Sequence, residues 1–283
     1  MKIDYIATSI IPSESANSVH VMKMCQAFSD NGHKVTLFAR KGLVLKKDIR
    51  FLYERYGVRE NFNLHLNSSY QWRGVNILHS FYCTLLVYFR KNDLIYTRSL
   101  WSALTAVFLR KKTIYEMHAY ANFKKPVHRV ALKMILNSKN LNKLVVISLA
   151  LKKDLVNDYP SILNKCLVAH DGSDVININN TNSKKQNCKT QVCYVGSLYT
   201  GKGIEIIIPL SQKMPDIDFH VVGGSKKRIF ELMAKYEIPS NLRLHGFKNY
   251  PEAQAYRIHA DILLAPFQDK ILLSNKAESD ISR

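Results

Sequence analysis

The segment Val192–Ser211, with the sequence VCYVGSLYTGKGIEIIIPLS, decides the fold class. Its apolar start, Val192–Val195, is typical of a buried strand, and Gly203–Ser211 has the pattern of a helix. The glycine-rich loop between them leads into the start of that helix, where free backbone N–H groups and the helix dipole attract a phosphate. Lys202 adds a mobile positive charge to the loop. The segment therefore predicts a strand–loop–helix unit that binds a phosphorylated ligand.

Two other interpretations of this loop stay open at this point. Gly196 and the pair Gly201-Lys202 have the spacing of a P-loop, but Gly203 stands where a P-loop has the Ser or Thr that binds Mg²⁺. The loop is also compatible with a simple strand-to-helix turn whose lysine is solvated. The choice between them depends on the rest of the sequence.

The same alternation of short apolar runs and helical patterns continues through the whole chain, which predicts parallel strands joined by helices. A break at Tyr159-Pro160 divides the pattern, so we expect an α/β protein with two doubly wound, Rossmann-like domains, residues 1–160 and 165–283. The polar stretch Asn177–Thr190 is expected to be an exposed connection. The predicted strands are Lys2–Thr8, His33–Ala39, Leu94–Thr97, Thr113–Glu116, Lys143–Ile147, Cys166–Ala169, Val192–Val195, Asp218–Val222, Leu242–His245 and Asp261–Ala265.

The composition is that of a globular protein, with 283 residues, 47% hydrophobic residues and 22% charged residues. It excludes a disordered chain, a collagen-like repeat and a small disulfide scaffold. The net charge is +19, and residues up to Lys165 carry 26 basic and 10 acidic side chains, against 15 and 12 in the rest. Such an excess predicts a partner that carries phosphates: a nucleic acid, an anionic membrane or a phosphorylated substrate.

Cysteine usage and hydropathy favour the cytoplasm. The five cysteines show no zinc-ligand spacing, which is typical of free thiols in a reducing compartment. Asp4 stands where a signal peptide needs apolar residues. The most apolar stretch, Val75–Phe89, is shorter than the roughly 20 residues that span a bilayer. We therefore expect a cytoplasmic protein, and a peripheral position on the inner face of the membrane stays open.

An ordered set of segments resembles the glycosyltransferase family 4 type, whose members have the two-domain GT-B fold. The loop from Gly196 to Gly203 is similar to the family's "GxL…KG" segment, and Glu116-Met117-His118 stands at the place of its N-domain histidine. The other segments in the same order are Ser13–Met24, Val145–Leu155, Ala169–Asp174, Val221–Gly224, Leu244–Phe247 and Asp261–Phe267. The resemblance covers essentially the whole chain.

The resemblance implies that the second domain binds a nucleotide-sugar donor. Lys202 would contact the donor diphosphate and stabilise charge on the leaving nucleotide. The backbone of Gly196, Ser197 and Gly203 would approach the diphosphate. His118 would face the donor sugar and act in catalysis, although a polar residue at a strand end without chemistry is the alternative. The residues expected to flank the nucleoside are Gly223, Gly224, Gly246 and Phe247.

The first domain is expected to bind the acceptor. Asn17, Ser18 and His20 stand near the start of the first predicted helix, where they would bind an acceptor phosphate or simply cap the helix. Arg98 follows the strand Leu94–Thr97 and would point to the same site, with a surface arginine as the alternative. The helix Pro126–Asn137 has a basic side and an apolar side, which suits either an anionic membrane surface or a core contact.

Two departures from the family qualify this interpretation. Ser197 stands where members often have Arg, and the family's carboxylate segment after the "PF" strand has no counterpart before Arg283. We therefore expect a chain truncated at its C-terminus, with its second domain incomplete and with little or no transferase activity.

The expected activity is transfer of a sugar from a nucleotide-sugar to a glycan or lipid-linked acceptor in surface polysaccharide synthesis. We expect a retaining hexosyltransferase with no metal or other cofactor and no nucleic-acid partner. The alternatives are a non-catalytic nucleotide-sugar-binding remnant and a basic nucleic-acid or P-loop-like binding protein.

Overall fold

The computed structural model describes residues 1–42, 49–67, 74–120, 126–175, 189–268, 270–274 and 277–280. The chain divides into two compact units, Met1–Ser173 and Asp174–Arg283. Each contains a parallel sheet with helices between successive strands, so the predicted α/β class with two parallel sheets is confirmed.

The first unit contains a seven-stranded sheet in the order β3-β2-β1-β4-β5-β6-β7, and every neighbouring pair is parallel. Its strands are β1 (Lys2–Ile11), β2 (Lys34–Lys41), β3 (Asn63–Asn67), β4 (Leu94–Thr97), β5 (Thr113–Met117), β6 (Leu141–Val146) and β7 (Cys166–Val168). Its helices are α1 (Ala16–Asp30), α2 (Arg50–Tyr56), α3 (Val75–Tyr88), α4 (Leu100–Phe108), α5 (Pro126–Leu136) and α6 (Leu149–Asp158), followed by a 3₁₀ turn (Pro160–Ile162).

The central strands of this sheet are covered on both faces. Tyr5 and Ile6 are adjacent in β1, so their side chains point to opposite faces, and both are fully buried. Burial on both faces explains why β1 and β4 are nearly continuous apolar runs rather than alternating ones. The central strands of the first unit are therefore packed on both faces, and their carboxyl ends lie along one edge of the sheet.

The second unit contains a four-stranded parallel sheet in the order β10-β9-β8-β11. Its strands are β8 (Thr190–Val195), β9 (Ile217–Val222), β10 (Leu242–Gly246) and β11 (Ile262–Leu263), and its helices are α7 (Ile204–Lys213), α8 (Lys226–Lys235) and α9 (Tyr250–His259). Two further strands, β12 (Lys270–Ser274) and β13 (Ala277–Asp280), pair with each other antiparallel.

The structure differs from the sequence-based expectation in two places. The strand Cys166–Val168, which we expected to open the second domain, pairs with β6 and completes the first sheet, because the break at Tyr159-Pro160 is a 3₁₀ turn within the first unit. The polar tail, expected to have no further strand, contains β12 and β13. The predicted connection Asn177–Thr190 lies outside the described residues up to 188.

No helix within the described part of the chain is long and apolar enough to cross a membrane.

Candidate functional site

Glu116 is the centre of a polar cluster at the carboxyl end of β5 in the first unit. Its side chain is almost fully buried. One carboxylate oxygen, Oε2, accepts a hydrogen bond of 2.7 Å from the hydroxyl of Tyr96. The other, Oε1, lies 2.9 Å from Nε2 of His20, is hydrogen-bonded to Nε2 of His118, and lies 3.8 Å from Nε of Arg98. One carboxylate therefore holds two imidazoles and faces a guanidinium.

The environment keeps Glu116 ionised. Burial alone would raise the pKa of this carboxyl, but hydrogen bonds from His118, His20 and Tyr96 and the charge of His20 together hold its pKa well below the usual range. Burial and the neighbouring carboxylate of Glu116 raise the pKa of the Tyr96 phenol well above its usual value. At neutral pH, Tyr96 is therefore a hydrogen-bond donor and Glu116 is a fixed negative charge.

Local structure brings these side chains together. Glu116 and His118 are two residues apart at the end of β5, and alternate residues of a strand point to the same face. The helix α1 starts at Ala16 because the side chain of Ser15 caps it by accepting from the backbone N–H of Ser18. This start places His20 in the second turn, where its ring lies edge-on to that of His118 with 5.0 Å between the centroids.

Four of the five residues predicted for catalysis or the acceptor side in this unit lie in this cluster. The Nη1 atom of Arg98 donates a hydrogen bond of 2.6 Å to the side-chain oxygen of exposed Asn17, which joins these two residues to His20 and His118. Ser18 is different: it is fully buried, and its hydroxyl donates to the carbonyl of Ser15 at 2.7 Å. Ser15, not Ser18, is the cap of the helix.

Sequence reasoning missed Glu116 and Asp171 as members of this cluster. The Oδ1 atom of Asp171, in the loop after β7, lies 3.7 Å from Nδ1 of His20. In the sequence, Glu116 is recognisable as an acidic residue near the end of an otherwise apolar strand, two positions before His118. Such a residue is costly to bury without partners, and its partners come from separate parts of the chain.

His20, Glu116 and His118 also have the donor types of a transition-metal site, with ligand atoms within 4.8 Å of one another. Arg98 competes with a cation at this place because its guanidinium approaches the same carboxylate oxygen. The cluster is thus chemically suited to hydrogen-bond polar ligands and to exchange protons through its imidazoles.

The second unit places its predicted donor-binding glycines side by side at the carboxyl ends of β8, β9 and β10. The backbone N–H of Gly196 donates to the carbonyl of Val222 at 2.9 Å, and that of Gly223 donates to the carbonyl of Gly246 at 2.8 Å. A Cβ added at Gly223 would lie 1.9 Å from the carbonyl oxygen of Gly196. These three loops therefore meet backbone to backbone, in an approach that a side chain at Gly223 would prevent.

Gly203 and Gly224 fill two further positions that need glycine. Gly203 caps α7 with a φ of +101°, and a Cβ there would lie 2.4 Å from Cγ of Pro266. Gly224 has a φ of +78°, and its Cβ would lie 2.6 Å from Cδ1 of Leu198. The predicted loop at the helix start is therefore tightly packed, as a loop that presents backbone amides to an anion requires.

Lys202 and Ser197 lie at the outer side of this loop. The Nζ atom of Lys202 is 4.4 Å from the centroid of the Phe267 ring, a cation–π contact. Ser197 is exposed, and its carbonyl accepts a hydrogen bond from Tyr194. Phe247, directly after Gly246, is half-buried.

Arg228 contacts the glycine-rich loop, in which Ser197 stands where members of the family that the chain resembles often have Arg. In the first turn of α8, Arg228 donates from Nε to the carbonyl of Leu198 at 2.8 Å. Its Nη2 atom lies 3.7 Å from Oε1 of Glu205 in α7. Arg228 therefore adds positive charge beside the glycine-rich loop, and carboxylates partly neutralise that charge.

A chain of neutral side chains runs beneath the Gly246 loop. His245 lies between the Tyr256 hydroxyl, 3.1 Å from its Nδ1, and Nδ1 of His220, 2.9 Å from its Nε2, and His220 contacts Oε1 of Gln191 at 2.8 Å. One direction satisfies every contact: Tyr256 donates to His245, His245 to His220, and His220 to Gln191. A further proton on Nδ1 of His220 would face the donor Nε2–H of His245. Burial, the neighbouring His220, Lys248 and Arg243 lower the pKa of His245 to about 4.

Comparisons with known proteins agree with this architecture. Residues 176–270 match the family described as glycosyl transferases group 1. Anabaena HepE, solved in complex with UDP and glucose, is 16% identical with a TM-score of 0.62, over 93% of this chain and 73% of that chain. A variant of S. aureus TarM, solved with fondaparinux, alpha-GlcNAc-glycerol and UDP, is 10% identical with a TM-score of 0.65, over 94% and 81%.

The UDP-GlcNAc 2-epimerase from Methanocaldococcus jannaschii is also similar, with 13% identity and a TM-score of 0.58, over 93% of this chain and 78% of that chain. A comparison with curated protein sequences gives no match. The chain therefore has the α/β fold of the GT-B glycosyltransferases, as the resemblance implied, and its second unit contains the region that matches glycosyl transferases group 1.

Proposed function

We propose that the protein is a glycosyltransferase of the family 4 type that moves a hexose, with retention, from a nucleotide-sugar to a glycan or lipid-linked acceptor. The observation that carries this proposal is the match of residues 176–270 to glycosyl transferases group 1. Within that region, three glycine loops and Lys202 meet at one edge of the sheet. The fold alone does not give the function, because a UDP-GlcNAc 2-epimerase has a similar fold. The family match and the glycine loops therefore support the proposal together.

The second unit would bind the donor. Backbone N–H groups of the loop from Gly196 to Gly203 and the start of α7 would face the diphosphate, since a helix start attracts anions. Lys202 would add a positive charge that stabilises the leaving nucleotide. Gly223, Gly224, Gly246 and Phe247 would flank the nucleoside.

The first unit would bind the acceptor and supply His118 as a catalytic residue. Asn17, His20 and Arg98 would contact polar groups of the acceptor, because they lie with His118 around Glu116. Glu116 is a positioning residue in this proposal: it is buried, and it holds the rings of His20 and His118 in place. Ser18 would contribute inside the first unit instead of contacting the acceptor, since its hydroxyl donates to the carbonyl of Ser15.

The setting of this reaction is part of the proposal. Surface polysaccharide synthesis at the cytoplasmic face of a membrane suits a lipid-linked acceptor, and the strongly basic first 165 residues suit an anionic lipid surface. No metal is required in this scheme, since Lys202 and the helix start supply the positive charge. Nucleic acid is not a proposed partner.

The test is a titration of the purified chain with UDP, GDP and ADP by calorimetry, followed by incubation with the matching nucleotide-sugars and acceptor glycans. We expect one diphosphate to bind and a new glycosidic product to be seen by mass spectrometry. Binding without product would favour the alternative of a nucleotide-sugar-binding protein without transfer activity. Binding of nucleic acid without any nucleoside diphosphate would contradict both.

A further inference from the structure

Helix α3 buries His79, Ser80 and Thr84 and exposes several large apolar side chains, which departs from the usual pattern of a surface helix. The inward face includes His79, Ser80, Cys83 and Thr84. These side chains are engaged there: Nε2 of His79 lies 3.0 Å from the carbonyl of Ala7, and the hydroxyl of Ser80 lies 2.8 Å from that of Ser99. The inward orientation is therefore fixed by buried hydrogen bonds.

The outward face of α3 is apolar along its length. Leu78, Phe81, Tyr82 and Leu85 are 42–54% exposed, and Phe89, directly after the helix, is 78% exposed. No charged residue occurs between Val75 and Phe89. Single exposed apolar residues are common, but a contiguous row of them marks an interaction surface.

The neighbouring helices extend this face. Phe108, at the end of α4, is 78% exposed, and α4 packs against both α3 and α5. On α5, Val127, Val130 and Met134 are more than half exposed. Exposed apolar side chains thus lie on three helices of the first unit that pack side by side, α3 on α4 and α4 on α5.

Basic residues border this apolar surface at the ends of α3 and α4. Arg90 and Lys91 follow α3, and Arg110, Lys111 and Lys112 follow α4. The two groups are adjacent, because Nζ of Lys111 lies 3.5 Å from the carbonyl of Arg90 and 5.4 Å from the ring centroid of Tyr88. Exposed aromatic side chains beside lysine and arginine are typical of the membrane interface.

We propose that the outer face of α3, α4 and α5 is a docking surface for a bilayer that contains anionic lipid. The apolar side chains would enter the boundary between headgroups and acyl chains, and the basic border would contact lipid phosphates. Charge favours a membrane over a second copy of the chain, since a symmetric contact would bring two basic borders together. This inference rests on the proposed membrane setting of the enzyme and names the surface that would provide it.

The experiment is co-sedimentation of the full chain with vesicles of phosphatidylcholine alone or with phosphatidylglycerol added. The variant pair is Phe89→Ser/Phe108→Ser, which removes two large exposed side chains without opening the core. The matched control is Phe230→Ser, because Phe230 is 69% exposed on α8 of the second unit. A second variant, Arg110→Gln/Lys112→Gln, removes border charge.

We expect the wild-type chain to bind the anionic vesicles, the double Phe variant to bind about tenfold or more weakly, and Phe230→Ser to bind like wild type. The charge variant should lose affinity for anionic vesicles and show less dependence on salt. Full binding by the double Phe variant would overturn the proposed surface, as would equal loss in the Phe230 variant.

Two further readouts separate this inference from its alternatives and from the proposed activity. Sedimentation of the chain without vesicles gives its oligomeric state, and a dimer that the double Phe variant dissociates would assign the face to a second copy and overturn the membrane proposal. Titration with nucleoside diphosphate should be unchanged in every variant. If the diphosphate does not bind even wild type while vesicles do, the transferase proposal fails and the docking surface stands.

Discussion

Gly223 and Gly196 approach so closely that a Cβ at position 223 would lie 1.9 Å from the carbonyl oxygen of Gly196. This contact joins the loop after β9 to the loop after β8, the two loops proposed to hold the donor. Gly223 also has a φ of +130°, a conformation that is strained for any residue with a side chain. The geometry of the candidate donor site therefore depends on the absence of one atom.

Gly223→Ala should separate these two loops and weaken the second unit. We expect the free energy of unfolding to fall by about 2 kcal/mol or more and binding of nucleoside diphosphate to be lost. Gly172→Ala is the control, because nothing lies within 4 Å of a Cβ there and its φ is not positive. Calorimetric unfolding and diphosphate titration measure both effects, and wild-type values for Gly223→Ala would contradict the close contact.

Lys202→Ala should weaken binding of nucleoside diphosphate by about 1.5–3 kcal/mol, since it removes a charge-assisted contact. His118→Ala should leave that affinity nearly unchanged and lower kcat about 100-fold or more. Lys213→Ala, at the opposite end of α7 from the loop, is the control for lost charge. Calorimetry and initial rates distinguish the two roles, and similar behaviour of the Lys202 and His118 variants would refute their assignment.

Glu116→Gln should lower kcat with little change in the affinity for the donor. The amide carries no charge to hold the imidazoles of His20 and His118, and its NH₂ group opposes donors on neighbouring residues. We expect the free energy of unfolding to fall by about 1.5–3 kcal/mol, the range for hydrogen bonds to a charged group. Glu54→Gln on the exposed side of α2 is the control. A stable Glu116→Gln protein with wild-type kcat would exclude the positioning role.

Acid should destabilise the second unit through His245. His245 has a folded-state pKa of about 4, below its ordinary value of 6.5, so the unfolded chain binds more protons between these values and stability falls as pH falls through this range. Glu116 has a lowered pKa, so its contribution stays until the pH falls below its ordinary value of 4.5. Hydrogen exchange at about pH 7 and about pH 5 should show faster opening in the second unit, and the lowered pKa of buried His79 acts in the same direction in the first unit.

The variant His245→Asn should flatten this response, because its side chain does not titrate. Equal acid sensitivity of wild type and variant would show that other groups dominate.

Removal of metal should leave the proposed transfer unaffected. Because Lys202 and the start of α7 are proposed to neutralise the donor diphosphate, dialysis against EDTA is expected to change neither diphosphate affinity nor product formation. Restoration of lost activity by a divalent cation would instead assign a metal to the reaction, and variants of His20 and His118 would show whether the cluster around Glu116 holds it.

The sequence predicted the sheet strands well where both faces are buried. Strands such as β4 and β6 are short apolar runs, and their periodicity is enough to recognise them. The edge strand β3 (NLHLN) and the helix α2 were missed, since β3 is only partly buried and begins and ends with asparagine. The pairing of β7 with β6 was also hidden, because a strand pattern does not reveal its partner.

The residues of the candidate site were likewise predictable only in part. The glycine loops of the second unit were predicted from the family resemblance, and positive φ angles at Gly203, Gly223, Gly224 and Gly246 give the physical reason for glycine there. Glu116 was not, because the favourable environment of a buried carboxylate comes from side chains of α1, β4 and the loop after β4, which only the folded chain brings together. Ser18 was given a capping role by its residue type, and a one-turn difference in the start of α1 gave that role to Ser15.

The order β3-β2-β1-β4-β5-β6-β7 puts the first strand of the chain in the middle of its sheet. As the ribosome releases the chain from the N-terminus, β1 can pair with β2 at once, but its other edge stays open until Leu94–Thr97 emerges. An open edge of a long, apolar strand is the place where nascent chains pair wrongly. Translation speed and chaperone access between residues 42 and 94 should therefore govern how much of this protein reaches its native state.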